Sequence, residues 1–340
     1  ATLPLSMMVV AVAITTFPAT ALMKKIGRRK GFSLASASAA LALLLAIVAL
    51  ERRSFVMFIV AVMLFGINMA FTQQYRYFAA ESVATRFVPR AISLVLVGSI
   101  GAAFAGREIV IRGQYLVPGS EHTGSMAILV ALFFLQALLF FAMSRVEYVA
   151  ETGQRQSDRA LGTLVTQPVF VVAVLGAAAG YGLMTLIMTA TPLSMHIKDG
   201  LSLAETASVI QAHVLGMYVP SLVAGFLIER IGVVRLMFVG ICGLLATTVI
   251  GLHGHTALHY WWALMLLGVG WNFLFVGGTT MLTYTYSRAE RFRAQAVNDF
   301  LIFGSSATAS LLAGAVLHAY GWNVLMLIPI PILIMIAILL

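Results

Sequence analysis

Three ionisable side chains interrupt long apolar runs of this chain and are the first candidates for chemistry. Asp299 follows Asn298 in one run, His213 lies in a second and Arg76 in a third. A charged side chain at the centre of a membrane helix costs about 2.5 to 3.5 kcal/mol on insertion scales, so it needs a partner or a water-filled path. Burial readily shifts the pKa of a carboxylate or an imidazole, and histidine titrates near neutral pH. Asp299 and His213 are therefore predicted to form a proton-coupling pair.

Both assignments have a structural alternative. A carboxylate in the first turn of a helix is stabilised by the helix dipole, so Asp299 could instead cap the start of its helix. His213 could be a packing residue whose ring is satisfied by its neighbours. The sequence leaves both alternatives open.

A polar cluster on the same helix as Arg76 could contact a solute. Gln73, Arg76 and Tyr77 share one helix face by the i, i+3 and i+4 rule. Together they can hold an anionic or hydrogen-bonding group. Alternatively, Arg76 snorkels towards the cytoplasmic surface or pairs with an acidic group.

Aromatic residues supply a second candidate surface for a solute. Trp271 is followed by Asn272, and an indole beside an amide suits stacking on, and hydrogen bonding to, a flat organic molecule. Tyr181, after Gly180, is a further candidate of this kind. Aromatic packing between helices is the competing interpretation.

The elements that position these residues must be membrane helices. The 340 residues are 61% hydrophobic and 10% charged, with a mean hydropathy of +0.99, which leaves too little polar surface to coat a soluble protein. A spanning helix needs about 20 apolar residues. Hydropathy predicts eleven such runs, near 3–23, 31–50, 54–79, 88–110, 124–144, 165–190, 206–228, 235–252, 258–284, 294–317 and 321–340.

The net charge of +9 orients the chain in the bilayer and does not indicate nucleic-acid binding. Of the 21 basic residues, only Arg52, Arg53, Arg107, Arg112 and Lys198 fall near the outer side if the loop at residue 27 is cytoplasmic. The other 16 lie on the inner side, which is the positive-inside pattern. The predicted partners are the lipid bilayer, a small solute and protons, and we expect a monomer.

Enzymatic, cofactor and metal sites are not expected. Cys242 is the only cysteine, so neither an intrachain disulfide nor a multi-cysteine zinc site can form. The sequence has no P-loop, no nucleophile elbow and no paired catalytic carboxylates.

A short motif between two apolar runs is the most specific signal. Gly225, Glu229, Arg230 and Gly232 form the pattern GxxxERxG. This pattern resembles the cytoplasmic loop signature of the major facilitator superfamily, GxxxDRxGRR, which joins the second and third helices of each six-helix half. A fainter copy ends at Gly27, 205 positions earlier (232 minus 27).

The resemblance implies an all-α polytopic membrane protein with two pseudo-symmetric bundles and alternating access between them. It implies that helix 1 of the family precedes residue 1 and that 11 of 12 helices are present. We expect an N-terminal bundle over 1–144 (helices 2 to 6), a cytoplasmic connector over 145–164 and a C-terminal bundle over 165–340 (helices 7 to 12).

The resemblance also implies a gate. In the family, the acid and the arginine of the signature bridge to neighbouring helix ends and hold one conformer. Glu229 and Arg230, within the signature that runs from Gly225 to Gly232, are therefore expected to stabilise a gate. In the first copy Lys24 replaces the acid, so Arg28 is expected to pair with an acidic residue elsewhere in the chain. Glu81, at the cytoplasmic end of its helix, is the predicted partner of Arg28. Alternatively, Arg28 contacts lipid phosphates.

The predicted function is proton-coupled transport of a small organic solute across the bacterial inner membrane. The segments 74–81, 270–280 and 298–300 are similar to proteobacterial members of the superfamily, some of which are proposed vitamin or metabolite carriers. A multidrug efflux antiporter of the same fold is one alternative. A non-transporting membrane scaffold or sensor is another.

Overall fold

The structure is a computed structural model that describes residues 3–113, 115–118, 120, 122–143 and 159–340. Every regular element in these ranges is helical. The predicted connector lies mostly outside the described residues, so its boundaries remain predictions. The helices are α1 (Leu3–Ile26), α2 (Arg28–Glu51), α3 (Phe55–Thr72), α4 (Tyr75–Glu81), α5 (Val88–Gly113), α6 (Thr123–Ala142), α7 (Leu161–Val165), α8 (Pro168–Leu193), α9 (Leu203–Tyr218), α10 (Ser221–Ile231), α11 (Val233–His253), α12 (Ala257–Thr283), α13 (Arg291–Leu327) and α14 (Pro329–Leu339).

The predicted spans correspond to these helices. Within the described residues, ten stretches are long and apolar enough to cross a membrane, and the last of them, Arg291–Leu339, has 49 residues. At about 1.5 Å per residue, that stretch is more than twice the roughly 30 Å of a hydrocarbon core. It is broken at Gly321, whose φ is +78°. Nine stretches plus these two give the eleven predicted spans.

Two spans are interrupted close to the candidate site. The third span changes from α3 to α4 at Gln73 and Gln74. Another changes from α9 to α10 at Pro220, which has no backbone N–H to continue the helix. Both breaks lie between the middle of the span and the end that carries the signature loops, which we call the cytoplasmic end.

The internal repeat is visible in the backbone. Gly27 joins α1 to α2 with φ 84° and ψ 155°, and Gly232 joins α10 to α11 with φ 87° and ψ 156°. Residues with a Cβ rarely adopt this conformation, so glycine is needed at both turns. The two signature loops therefore have the same local geometry.

The most extensive contacts between the first half (described residues up to 143) and the second half (159–340) are made by two helix pairs. In one pair α1 packs against α13, and Phe17 contacts Phe300 with ring centroids 5.4 Å apart. In the other, α10 packs against the start of α5, where a Cβ on Gly225 would lie 2.8 Å from the Cα of Arg90. The candidate site lies where α4 faces α12 and α13.

Candidate functional site

Asp299 is buried within α13 and does not cap it. The helix begins at Arg291, eight residues earlier (299 minus 291), so Asp299 lies beyond the first turn, where a dipole effect has faded. The capping alternative is therefore wrong. The side chain is only 1% exposed.

Four side chains surround the Asp299 carboxylate, and three of them come from the first half. The Arg76 guanidinium donates through Nη2 to Oδ1 in a buried ion pair. Tyr77 donates its hydroxyl to Oδ1 at 2.9 Å, and Gln74 donates Nε2 to Oδ2 at 2.7 Å. Asn298 donates to Oδ1 at 3.2 Å and to the Tyr77 oxygen at 2.7 Å. We call these five residues the Asp299 centre.

Arg76 points into the protein. Its guanidinium is 2% exposed, donates to Gln73 Oε1 at 3.0 Å, and lies 4.4 Å from the ring centroid of Phe275. Snorkelling is therefore the wrong interpretation, whereas pairing with an acidic group is realised through Asp299. Gln73, Arg76 and Tyr77 lie together as the sequence predicted. The positive charge of Arg76 is balanced by Asp299 of the second half.

An aromatic surface adjoins this centre. Trp271 stacks on Phe275 with centroids 5.0 Å apart and 13° between the planes, and Tyr181 meets both rings edge-on at 5.4 and 5.6 Å. Trp271 is buried, and its Nε1 has no hydrogen-bond partner among the described residues. Because Arg76 lies over Phe275, the aromatic surface and the ion pair are continuous.

His213 and Asn272 form hydrogen bonds elsewhere in the second half. The ring Nδ1 of His213 lies 2.8 Å from the Leu264 carbonyl oxygen. Asn272 donates its amide to the Met217 carbonyl at 2.7 Å and to Ser221 Oγ at 2.6 Å. Both side chains thus join α12 to α9 and α10, and neither is among the hydrogen-bond partners of Asp299. Their roles in proton coupling and solute binding stay predictions.

Arg28 and Glu81 form the ion pair that the sequence predicted. Arg28 donates from Nη2 to Glu81 Oε1 at 2.7 Å and from Nε to Oε2 at 3.2 Å. It also donates to Gln295 of the second half at 2.8 Å, and Gln295 in turn donates to Glu81 at 2.9 Å. These three residues, which we call the cytoplasmic latch, join the two halves near their cytoplasmic end.

The second signature copy also contacts the first half. Glu229 bonds to Arg90 at the start of α5 in an ion pair, and Gly225 allows the close helix contact beside it. Arg230 is exposed, and Gly232 forms the turn into α11. The acid of the signature therefore bridges to the other half at the cytoplasmic end.

At the opposite end, the halves leave a small cavity between them. It has a volume of about 190 Å³ and lies among α1, α8 and α13. Ser6 and Ser310 line it, and their hydroxyls form a hydrogen bond of 3.1 Å across the two halves.

Sequence reasoning missed five residues of this arrangement as site residues, namely Gln74, Arg90, Phe275, Gln295 and Asn298. All of these except Arg90 are uncharged, so the cost of burying a charge does not single them out. For Gln74, Gln295 and Asn298 the available signal was a side-chain amide within a predicted membrane span, because such a group needs hydrogen-bond partners when it leaves water.

A relative of known activity decides the family. The riboflavin transporter RfnT of Brucella anthropi is 35% identical over 333 residues, which cover 97% of this chain and 83% of RfnT. This chain belongs to the major facilitator superfamily. The family model described as Major Facilitator Superfamily matches residues 175–340. The MFS-type transporter YdeG of Bacillus subtilis is 26% identical over 329 residues, covering 90% of this chain and 75% of YdeG.

Solved structures show the same fold. FucP of E. coli, in its outward conformation, superposes with a TM-score of 0.79 at 16% identity, covering 99% of this chain and 88% of FucP. The human organic anion transporter MFSD10 gives a TM-score of 0.71 at 16% identity, covering 99% of this chain and 82% of MFSD10. These matches show the fold, and the similarity to RfnT shows the class, so the protein is an all-α, multi-pass membrane transporter of this superfamily.

Proposed function

We propose that this protein is a proton-coupled secondary transporter for riboflavin, or for a solute with a similar flat ring system, in the bacterial inner membrane. The similarity to RfnT supports the solute class. The observation that carries the proposal is the buried ion pair between Arg76 and Asp299, which joins the two halves beside an aromatic surface.

The aromatic surface suits a flat heteroaromatic solute. Offset or edge-to-face contacts between rings contribute about 0.5 to 1.5 kcal/mol each beyond area burial. Trp271, Phe275 and Tyr181 offer such contacts, and the unpartnered Nε1 of Trp271 can donate to a ring carbonyl. Gln73 and Arg76 add hydrogen-bond donors at the edge of the surface.

Asp299 is the proposed proton carrier. Its protonation would leave Arg76 buried without a counter-charge, and breaking a buried pair in this way costs about 3 to 5 kcal/mol. The contact between α4 and α13 would then be weakened. Proton uptake would thereby favour separation of the halves at this level, which couples the proton to alternating access. His213 shares no bond with this centre, so the proposal depends on Asp299.

The two cross-half contacts at the cytoplasmic end are the proposed gate. The cytoplasmic latch of Arg28, Glu81 and Gln295 and the pair of Glu229 with Arg90 hold this end closed. Opening towards the cytoplasm requires all of these bonds to break. We therefore assign this structure to the state that is closed on the cytoplasmic side.

Uptake into proteoliposomes tests the proposal. Purified protein with an inward proton gradient should accumulate labelled riboflavin, and collapsing the gradient should release it. Trp271→Leu should raise the KM about tenfold, since it removes stacking and the indole donor without changing the ion pair. No riboflavin flux in either direction would refute this solute class, and extrusion of several unrelated lipophilic compounds would favour the multidrug alternative.

A further inference from the structure

Gln74 lies at the break between α3 and α4 and is completely buried. α3 ends at Thr72 and α4 begins at Tyr75, so the Gln74 side chain projects from the turn between them. Its backbone N–H donates to the Phe71 carbonyl at 2.9 Å, which fixes the turn. A buried amide in this position must satisfy both of its polar ends within the protein.

Both ends of the Gln74 amide have a charged partner. Nε2 donates to Asp299 Oδ2 at 2.7 Å, and Oε1 accepts from Arg28 Nη1 at 3.1 Å. A carboxylate can only accept and a guanidinium can only donate, so chemistry dictates which way the amide points. Reversing the amide would lose both bonds at once.

Gln74 therefore joins the Asp299 centre to the cytoplasmic latch. Arg28, the latch residue it touches, bonds to Glu81 and Gln295, and Gln295 continues to the Tyr286 hydroxyl at 2.9 Å. Among the described residues, Gln74 is the side chain that forms hydrogen bonds to both Asp299 and Arg28.

Among the described residues, few charged or titratable groups lie near the partners of the two ends of the Gln74 amide, Asp299 and Arg28. Arg76 and Tyr77 face Asp299, and Tyr181 interacts electrostatically with Arg76. Around Arg28 they are Glu81, Arg291 and Tyr286, and Arg291 lies 3.6 Å from Glu81.

We propose that Gln74 is the positioning residue that transmits the protonation state of Asp299 to the cytoplasmic latch. A hydrogen bond to a charged acceptor is roughly twice as strong as one between neutral groups. When Asp299 is neutral, its hydrogen bond with the Gln74 amide weakens. The Gln74 side chain is then fixed at one end only, and its Oε1 is held less firmly as an acceptor for Arg28. The latch is then easier to open. This inference rests on the proposed proton uptake at Asp299, but its test does not use transport.

A double-mutant cycle read out by spin-label distances tests the proposal. Labels are attached to Arg86→Cys and Tyr284→Cys, which are exposed cytoplasmic positions in opposite halves, after Cys242→Ser removes the native thiol. Asp299→Asn mimics the neutral acid. In the parent it should raise the ratio of open to closed cytoplasmic ends about fivefold or more. In a Gln74→Leu background the change should be at least about twofold smaller than in the parent, because only the direct loss of the ion pair with Arg76 remains. An equal effect in both backgrounds would overturn the proposal.

A second pair of variants, in which the negative charge is moved from Asp299 to position 74, distinguishes transmission of the Asp299 protonation state from a merely structural role of Gln74. Gln74→Glu keeps the acceptor for Arg28 but places a second carboxylate against Asp299, so it should open the cytoplasmic end. Adding Asp299→Asn supplies an amide that donates to the new carboxylate, so the double variant should close again. If the double variant is more open than Gln74→Glu alone, Gln74 does not act through Asp299.

Gln136→Leu is the matched control. Gln136 is also a glutamine in a membrane helix, and it accepts from Ser36 at 3.0 Å within the first half. In this background Asp299→Asn should keep its full effect on the label distances. If the parent protein does not transport riboflavin but the label distances change as expected across the Gln74 and Asp299 variants, the proposed solute is refuted and the transmission through Gln74 is supported.

Discussion

The buried pair of Arg76 and Asp299 makes a prediction about stability. Asp299→Leu leaves the Arg76 side chain, which is 2% exposed, without a counter-charge. Arg76→Met leaves the Asp299 side chain, which is 1% exposed, in the same position. Each loss should destabilise the protein by about 3 to 5 kcal/mol, the usual cost of leaving one member of a buried pair. The double variant strands neither charge. It loses the hydrogen bonds from Gln74 and Tyr77 to the carboxylate and the longer one from Asn298, at up to about 1 kcal/mol each, so its total loss should be about 2 to 3 kcal/mol.

Thermal denaturation of the purified protein in detergent measures this difference. At roughly 2 °C per kcal/mol for a chain of this size, each single variant should lower the apparent midpoint by about 6 to 10 °C and the double variant by about 4 to 6 °C. The reasoning is refuted if the shift of the double variant equals the sum of the two single shifts. That result would mean that the two side chains contribute independently and are not a compensating pair.

Further predictions concern the helix contacts, the cytoplasmic loops and the solute. Gly225→Val should impair transport and lower the midpoint, since even a Cβ would clash with the start of α5, whereas Gly304→Ala, which has nothing within 4 Å of its Cβ position, should behave as the parent. The Arg159 guanidinium, with bonds of 2.7 and 2.8 Å, holds the pKa of the Glu290 carboxyl down at about 2. Because that pKa is depressed, the stabilisation is complete above about pH 4.5 and is lost as the pH falls towards 2. The difference in midpoint between the parent and Glu290→Gln should therefore be constant from pH 5 to 8 and shrink below that range. Trp271→Leu should raise the KM for riboflavin with little change in kcat, as measured by initial rates of uptake.

The helices and the internal repeat could be predicted from the sequence because they depend on local properties. Apolar runs of sufficient length locate the spans. The glycines at 27 and 232 are required by positive φ, so they mark the same turn in both halves. The pairing of Arg28 with Glu81 was expected from the resemblance to the superfamily, whose acid is missing from the first signature copy.

The Asp299 centre could not be assembled in the same way. Arg76 and Asp299 are 223 residues apart, and hydropathy carries no information about which helices face each other. Their side chains were each singled out by the cost of burial, but the pairing depends on how α4 meets α13. Gln74 was missed because a neutral amide costs less to bury than a charge, and its importance comes only from its two charged neighbours.

The hydropathy of the sequence also predicted the wrong start for α13. Hydropathy began that span at residue 294, which put Asp299 about a turn inside it and allowed a capping role. The observed helix starts at Arg291, in a polar stretch whose charges pair with groups outside the helix. Helix ends of this kind are set by tertiary contacts, and hydropathy locates them only approximately.

Transport by Asp299→Asn in proteoliposomes tests the central claim most directly. Asp199→Asn, the same change at a carboxylate that accepts from Tyr260 within the second half, is the matched control. With an inward proton gradient, Asp299→Asn should fail to accumulate riboflavin yet still exchange it in counterflow, while the control accumulates it as the parent does. Uphill accumulation by Asp299→Asn at the rate of the parent would contradict the account.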